Sequence, residues 1–425
     1  MIDIKLLREN LEQTKLALKK KRYDVSQLDA IVELDKESRA LGVQLEEKLA
    51  HRNKFSKEMG TLPKEEREKR MGEMQFVKEE IGELEKKKEH LDLELKNLLV
   101  MVPNPPHESV PEGGEEDNKP FKTVGVAREF DFEPRDHAEL GKMNDWIEME
   151  AAANMSGSRF YYLKNTAVLL EMALSRYVID KLMKKGFVPV IPPVLVKEKA
   201  MYATGFFPTE RSNIYHVNPE DDDLYLVGTS EVPLCMLHAD QILPSLEKPI
   251  RYVGYSSCFR REAGTYGKDA AGIMRVHQFE KLEMFSFCHP DQAEEEHEFI
   301  RSIEEEIMTE LGFHYQVINI CGGDLGAPAA KKYDIEVWIP SQKKFRELTS
   351  CSNCTDYQAR RANIRFNSAS NGESSSGAVA KGKTRFAYTL NGTACAMTRA
   401  ILAIMENNQQ KDGTIEIPEV LKRFI

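Results

Sequence analysis

The stretch CFRREAGTYGKDAAGIMRVHQFEKLEMFSF, residues 258–287, decides how the second half of the chain folds. Two runs with strand character flank a loop of Gly, Lys and Asp, and this pattern predicts a long β-hairpin. Arg275, Phe279 and Glu283 are spaced evenly, which in a strand places them on one face. Arginine suits phosphate oxygens, and an aromatic ring can stack on a base. The hairpin therefore carries either a nucleotide-binding face or one salt-bridged polar side of a two-faced sheet.

Further runs of strand character follow the hairpin, at residues 314–320, 332–340 and 384–390. Helical stretches precede it, at residues 136–157 and 166–186. This order, with short connections, predicts an α+β domain over residues 131–425, in which helices flank a largely antiparallel sheet. At residues 389–407 we expect a strand, then a turn at Asn391–Gly392, and then a helix that carries Arg399 in its first turns.

The first hundred residues predict three helices that end near Lys21, Gly60 and Met101. The third has apolar residues at alternating intervals of three and four, with one lysine among them: Met74, Val77, Ile81, Leu84, Lys88, Leu91, Leu95 and Leu98. This is a coiled-coil seam, and the short turn before it predicts an antiparallel pair with the second helix. We assign residues 1–103 to this arm. Residues 104–130, rich in Pro, Gly and acidic residues, are assigned to a linker that should not pack.

Charge and composition exclude several classes of protein. The formal net charge of −10 argues against a generic nucleic-acid binder. The first hundred residues contain 22 Lys or Arg and 22 Asp or Glu, so the acidic excess lies in the remainder. The arm is then either a structural or dimerising coil, or a coil whose basic residues meet phosphates. Because no run of about 18 apolar residues occurs and the charged N-terminus lacks a signal core, we expect neither a membrane span nor secretion.

The seven cysteines are scattered except for one close pair, Cys351 and Cys354. This does not resemble a disulfide framework, and it predicts a protein of the reducing cytoplasm. A structural zinc site needs about two more ligands at suitable spacing. We therefore expect two reduced cysteines near a pocket, although a metal at this pair stays open.

Residues 377–384, GAVAKGKT, match the letters of a phosphate-binding loop. A true loop of this kind joins a buried strand to a helix, whose N-terminus binds the phosphates. Here a polar run rich in Ser and Asn precedes the match, and residues 384–390 alternate as a strand does. The context is the reverse of the required one, so we expect a mobile surface loop.

Three segments together resemble the signature motifs of class II aminoacyl-tRNA synthetases. GFVPVIPPVLV (residues 186–196) resembles motif one, the hairpin at residues 258–287 motif two, and TLNGTACAMTRAILAIMEN (residues 389–407) motif three. With VGTSEVPL (residues 227–234) and ELTSCSNCTDYQARR (residues 347–361), the chain is similar to the seryl-tRNA synthetases. The predicted coil resembles the tRNA-binding arm of that family, so the resemblance covers essentially the whole chain.

This resemblance implies an enzyme that activates L-serine with ATP and Mg²⁺ and transfers it to the 3′ end of tRNA(Ser), and also of tRNA(Sec). It implies a cytoplasmic homodimer. Two other functions stay open from the sequence: a class II relative that charges another amino acid or a carrier protein, and a catalytically inactive coiled-coil adaptor.

The resemblance also implies which residues form the site. Those implied to bind ATP are Arg260, Arg261, Glu262, Arg275, Val276, Phe279, Glu347, Leu348, Thr349, Ser350 and Arg399. Those implied to bind serine are Thr229, Ser230, Glu231, Arg260, Glu283, Asn391 and Thr393. Those implied to act in catalysis are Arg260, Arg275, Glu283 and Arg399. Mg²⁺ would be held, through ATP, by Glu347 and Ser350.

Within this set the family resemblance gives each group a position on the substrate. Arg260 would hold the α-phosphate and the acyl carbonyl, and Arg275 would contact the γ-phosphate. The adenine would lie between Phe279 and Arg399, with Glu262 near its amino group.

Overall fold

The computed structural model describes residues 1–61, 63–264, 272–368 and 384–425, without the side chain of Lys64. The chain divides into two compact units, Met1–Pro105 and Pro106–Ile425. Among the described residues, no helix is both long enough and apolar enough to cross a membrane.

The first unit consists of three helices: α1 (Ile4–Lys20), α2 (Gln27–Thr61) and α3 (Lys64–Met101). The carboxylate of Asp3 caps α1 by accepting a hydrogen bond from the backbone N–H of Lys5. The three helices predicted from the sequence are confirmed, with ends within about two residues of the expected ones.

Helices α2 and α3 pair in antiparallel fashion. Ser38 Oγ donates to Asp92 Oδ1 at 2.5 Å, and Lys48 Nζ lies 2.7 Å from Glu80 Oε2. The residue numbers on α3 fall as those on α2 rise, so the chains run in opposite directions. Every position of the predicted seam is at least partly buried. The interrupting Lys88 turns its ammonium to Asp92, at 2.5 Å, which keeps that charge paired.

The second unit is an α+β domain. Its helices are α4 (His137–Met143), α5 (Glu150–Ser156), α6 (Thr166–Lys184), α7 (Glu198–Thr204), α8 (Glu231–Met236), α9 (Ala293–Glu310), α10 (Tyr357–Ala362) and α11 (Met397–Asn407). Its strands are β1 (Pro120–Val124), β2 (Ile147–Glu148), β3 (Tyr162–Leu163), β4 (Val188–Val190), β5 (Leu195–Val196), β6 (His216–Val217), β7 (Leu224–Leu226), β8 (Ile242–Leu243), β9 (Ile250–Phe259), β10 (Gln278–Cys288), β11 (Tyr315–Asn319), β12 (Lys331–Ile339), β13 (Lys344–Asn353), β14 (Arg365–Asn367), β15 (Thr384–Phe386) and β16 (Tyr388–Ala396).

Eight of these strands form one sheet, in the order β1-β11-β12-β13-β16-β10-β9-β4. All neighbours are antiparallel except β4 and β9, which are parallel. Helix α9 packs against β13 and β16, and α11 packs against β10 and β12. Their apolar side chains form the main core. The predicted antiparallel sheet with flanking helices is confirmed.

The predicted turn at Asn391–Gly392 is wrong, because both residues lie inside the central strand β16. A Cβ atom at Gly392 would lie 2.5 Å from Ile300 Cγ2 and 2.9 Å from Cys351 Cβ. The glycine is therefore explained by the close packing of α9 on the sheet, and not by a change of direction.

The expectation that residues 104–130 would not pack is also wrong. Strand β1 pairs with β11 at one edge of the sheet, and Val110 is buried in a small apolar cluster with Ile318. The Pro and Gly residues of this segment are held through the backbone, since Gly322 N–H donates to the carbonyl of Pro111 at 2.9 Å. Amino-acid composition alone does not predict such backbone hydrogen bonds.

Residues 377–383 of the phosphate-loop match lie outside the described residues, and so does the expected mobile loop. Thr384 begins β15, and β16 follows after Ala387. The strand predicted downstream of the match is confirmed, with an interruption at Ala387.

We expect Gly392→Ala to destabilise the second unit by about 1–3 kcal/mol, because the added methyl group has no space between α9 and the sheet. The measurement is urea unfolding followed by tryptophan fluorescence, since both tryptophans, Trp146 and Trp338, lie in this unit. Gly326→Ala is the matched control, because its Cβ would make its nearest contact at 3.9 Å. Equal unfolding midpoints for the two variants would contradict the packing explanation.

Candidate active site

One cavity of about 520 Å³ opens on the sheet between the β9–β10 hairpin, β13, β16 and the start of α11. It gathers most of the residues singled out from the sequence: Thr229, Glu231, Arg260, Glu262, Arg275, Val276, Phe279, Glu283, Glu347, Leu348, Ser350, Asn391, Thr393 and Arg399. These residues come from five separate stretches of the chain, so the fold brings together what the sequence keeps apart.

Three predicted residues do not line this cavity. Ser230 is buried and its hydroxyl donates to the carbonyl of Gly254 at 3.2 Å. Thr349 lies between two residues that face the cavity, and its hydroxyl donates to Glu304 Oε2 on α9 at 3.2 Å. Arg261 lines a separate depression of the surface. The side chains of these three residues are therefore outside the site, contrary to the expectation.

Three arginines line the cavity, and Arg260 among them donates from Nε to the carbonyl of Gly228 at 3.3 Å. Arg275 Nη1 is 2.7 Å from Glu262 Oε2, and the Arg260 guanidinium lies 5.3 Å from the centre of the Phe279 ring. Arg399 Nη1 donates to the backbone carbonyl of Glu347 at 2.9 Å. Guanidinium groups around an aromatic face suit a ligand that has both phosphates and a flat base.

The expectation that Arg275 shares a strand face with Phe279 and Glu283 is wrong for Arg275. Strand β10 begins at Gln278, so Arg275 lies on the irregular segment before it. Phe279 and Glu283 do share a face and both line the cavity. Arg275 reaches the same cavity through the local course of the backbone, which even spacing does not predict.

The cavity also includes a buried polar pocket. Asn391 Nδ2 donates to Glu231 Oε1 at 3.0 Å, and Gln358 Nε2 donates to the same oxygen at 2.6 Å. Thr393 Oγ1 donates to Glu283 Oε2 at 3.2 Å. Two carboxylates with amide and hydroxyl partners can hold a small ligand that carries an ammonium and a hydroxyl.

A β-bulge brings the side chains of Thr393 and Glu283 together. Strands β10 and β16 pair Leu282 with Cys395 but Glu283 with Thr393, so Ala394 is the extra residue. Bulges beside functional sites re-aim side chains. Here the bulge sets the Thr393 hydroxyl directly across from the Glu283 carboxylate.

Lys281 is the functional candidate that the sequence analysis missed. It is buried, lines the cavity, donates to Thr229 Oγ1 at 2.9 Å and forms an ion pair with Glu283. The sequence did indicate this residue, because the two-residue strand repeat that places Phe279 and Glu283 on one face also places Lys281 there. Its ammonium holds two members of the polar pocket in place.

The carboxyl groups of the cavity differ in charge state. Burial first, and then the neighbouring Glu283, raise the pKa of Glu231 to about 7. Partial desolvation inside the cavity works against ionisation of Glu347, but Arg399 and Lys332 outweigh it and lower the pKa of Glu347 to about 2. Glu347 is thus a permanent anion, whereas Glu231 changes its charge near neutral pH.

Glu347 and Ser350 fit a bound Mg²⁺ ion. Both line the cavity, and 43% of the Glu347 side chain is open to it. Mg²⁺ takes hard oxygen ligands and is commonly held by one or two carboxylates together with phosphate oxygens and water. Within the described ranges, no group of three or more His, Cys, Asp or Glu side chains is arranged to hold a metal.

Family models match both units of the chain. A model of the seryl-tRNA synthetase N-terminal domain matches residues 1–106. A model of the class II tRNA synthetase core domain of the G, H, P, S and T enzymes matches residues 215–408.

Whole-chain relatives agree with these models. A serine–tRNA ligase of Thermobifida fusca is 45% identical, covering 100% of this chain and 97% of the relative. One of Dictyoglomus turgidum is 46% identical, covering 100% and 98%. A crystal structure of seryl-tRNA synthetase from Pyrococcus horikoshii, complexed with ATP, superposes with a TM-score of 0.91 at 42% identity, covering 100% of this chain and 98% of that one.

The raised pKa of Glu231 predicts a pH dependence of stability. In the unfolded chain this carboxyl loses its proton near its ordinary pKa of 4.5, but in the folded protein it keeps the proton up to about pH 7. The unfolded state therefore binds fewer protons between these values, so stability falls as pH rises, by up to about 3 kcal/mol.

We expect Glu231→Gln to remove this loss of stability at higher pH, since the glutamine side chain does not ionise. Its amide oxygen can still accept hydrogen bonds from Asn391 and Gln358. The measurement is the urea midpoint at pH 5 and pH 8 for both proteins. Identical pH profiles would show that Glu231 ionises normally in the folded state.

Proposed function

The chain belongs to the seryl-tRNA synthetase family of class II aminoacyl-tRNA synthetases, and on that premise we propose how its cavity performs the reaction. The protein is an ATP-dependent serine–tRNA ligase, which forms seryl-adenylate and transfers serine to the 3′ end of tRNA(Ser). The observation that carries the assignment of roles is one cavity that is lined both by three arginines and by a buried acidic pocket.

In the first step a serine carboxylate oxygen attacks the α-phosphorus of ATP. A P–O bond forms to serine, the bond to the bridging oxygen breaks, and diphosphate leaves. The nucleophile is already an anion, so the step requires no general base. Arg260 at the α-phosphate and Arg275 at the γ-phosphate stabilise the negative charge that builds up in the transition state.

The adenine of ATP lies between Phe279 and Arg399, and Glu262 accepts from its amino group. The Val276 backbone borders the base. Arg275 and Glu262 are already paired at 2.7 Å, so both are oriented before ATP arrives. Glu347 and Ser350 would hold Mg²⁺, which would supply positive charge to the phosphates.

In the second step the terminal hydroxyl of the tRNA attacks the serine carbonyl carbon. The new ester bond joins serine to the tRNA, AMP leaves with the electron pair of the broken mixed anhydride, and the hydroxyl proton passes to a phosphate oxygen of the leaving AMP. Arg260, which holds the α-phosphate and the carbonyl, remains in contact with both groups throughout this transfer.

The acidic pocket accounts for the choice of serine. Thr229 and Glu231 receive the substrate ammonium, while Glu283 and Thr393 pair with its hydroxyl and Asn391 completes the wall. Alanine would leave the buried groups at Glu283 and Thr393 unpaired, which a polar pocket penalises strongly. Threonine carries one extra methyl group, so its rejection depends on the space beside Glu283 and Thr393.

The coiled-coil unit serves tRNA binding. Residues 1–103 form the arm and residues 131–425 the catalytic domain, while the intervening residues 104–130 supply β1 to the catalytic sheet. A long coil recognises a structured RNA by shape and backbone contact, which is compatible with a net charge of −10. We extend the same role to tRNA(Sec), following the family resemblance.

The enzyme acts as a homodimer in the cytoplasm. Helix α6 and the segment at β4 expose large apolar side chains at Leu169, Met172, Val188 and Ile191, the last being 84% exposed. Apolar surface of this kind is typical of a contact with another protein. All seven cysteines are free thiols, which suits a reducing compartment.

We expect serine-dependent ATP–diphosphate exchange that exceeds exchange with alanine or threonine by about 10²-fold or more. Arg275→Ala should lower the serine-dependent rate by about 10²-fold, by analogy with the loss of one transition-state donor. Arg261→Ala is the matched control and should keep the rate within about threefold, because Arg261 lies outside the cavity. Exchange with another amino acid in place of serine would assign a different class II activity, and no exchange at all would favour the inactive adaptor.

Deleting residues 27–100 should spare serine-dependent exchange and abolish tRNA charging, because it removes α2 and nearly all of α3 while leaving the cavity intact. The two assays, exchange and aminoacylation of tRNA(Ser) and tRNA(Sec), are run on the same preparation, so the exchange rate controls for folding. Normal charging by the shortened protein would refute the role of the arm.

A further inference from the structure

The segment that carries Arg275 into the cavity is held at its start by one buried histidine, His137 at the beginning of α4. Its ring nitrogen Nε2 accepts a hydrogen bond from the backbone N–H of Ile273, at 3.1 Å. Gly272, just before, has a φ of +73°, and any Cβ there would collide with the His137 ring. The backbone therefore approaches the imidazole more closely than any other residue type would allow.

These contacts define the state of the imidazole. A backbone N–H can only donate, so Nε2 must carry the lone pair and Nδ1 must carry the proton. Nδ1 lies 2.8 Å from Oε1 of Glu406, a fully buried residue of α11. The His137 ring thus joins two partners, and each of its nitrogens has a single fixed role.

Glu406 is itself held firmly. Its Oε1 also accepts from the backbone N–H of His137 at 3.1 Å, and its Oε2 accepts from Ser341, from the backbone at 3.2 Å and from the hydroxyl at 2.6 Å. The orientation of the imidazole is therefore determined by a carboxylate that cannot turn without losing several bonds.

The connection reaches both sides of the nucleotide site. Glu406 lies on α11, which also carries Arg399 in its first turn. Ile273 lies two residues before Arg275. Between them, Arg399 Nε donates to the carbonyl of Met274 at 3.4 Å. The helix and the segment 272–276 are therefore tied at two points, and His137 supplies the buried one.

We propose that His137 is a positioning residue for the ATP step, which holds Arg275 and Val276 against the nucleotide through the Ile273 amide. It does not line the cavity. The inference depends on the assignment of ATP to this cavity under the proposed function. A purely structural histidine would affect the binding of both substrates alike, whereas this role affects ATP and spares serine, whose pocket is formed by residues outside the segment 272–276.

Two substitutions separate the two nitrogens of the ring. His137→Asn can place its amide nitrogen near the position of Nδ1 and still donate to Glu406, but it has no acceptor for Ile273. His137→Gln is longer and can bring its oxygen near the position of Nε2, so it restores the acceptor. In serine-dependent exchange, we expect KM for ATP to rise about tenfold in His137→Asn and to stay within about threefold in His137→Gln. KM for serine should stay within about twofold in both.

Hydrogen–deuterium exchange of the full-length protein supplies a readout that does not depend on activity. The peptide that contains Ile273 should exchange faster in His137→Asn than in His137→Gln or the wild type. Gly272→Ala, which leaves His137 and Glu406 unchanged, should push the segment away from Nε2 and produce the same selective rise in KM for ATP.

Each outcome decides one question. Equal rises in both KM values, or no difference between the Asn and Gln variants, would overturn the positioning role. If the wild type showed no serine-dependent exchange, the proposed function would fail, and protection of the Ile273 amide would still test the contact with His137. Failure of His137→Asn to fold leaves the comparison of His137→Gln and Gly272→Ala, in which an unchanged KM for ATP in Gly272→Ala would refute the inference.

Discussion

Strands β10 and β16 pair at the centre of the sheet, and this pairing governs both the core and the cavity. The bulge in this pairing sets Thr393 across from Glu283. Gly392, in the next residue pair, lets α9 lie close against the strand. Because α11 continues directly from β16, the same pairing also fixes where Arg399 enters the site. A shift of one residue in this register would turn Thr393 out of the pocket and Ala394 into it.

The cavity balances its charges before any ligand is present. Arg275 is paired with Glu262, and Lys281 with Glu283, so few of these ions are left buried without a counter-ion. A bound nucleotide would replace carboxylate contacts with phosphate contacts, and a bound amino acid would share those of Glu283. Ligand binding then becomes an exchange of partners among groups already held in position, which keeps the cost of reorganisation low.

Local periodicity predicted the features that depend on local geometry. The coil seam, the strands of the hairpin and the shared face of Phe279 and Glu283 follow from helix and strand repeats. The turn predicted at Asn391–Gly392 was wrong. The dipeptide Asn-Gly favours a turn, but here the glycine is required because helix α9 packs too closely on the strand for a side chain. Arg275, Ser230 and Thr349 show the same limit: which way a side chain faces depends on bulges and on partners distant in sequence. Most residues of the cavity were reached through family resemblance, whereas Lys281 was within reach of spacing alone.

The polar ties across the coil have a mechanical consequence. Ser38 with Asp92 and Lys48 with Glu80 lie about ten residues apart along α2, so a slip of α3 by one heptad that brought Leu99 to Ser38 and Lys87 to Lys48 would break both ties at once. Leucine seams alone tolerate such sliding, since one leucine replaces another. The two ties therefore favour one register of α3 on α2, and in a fixed register the reach of the coil is set by the number of residues it contains.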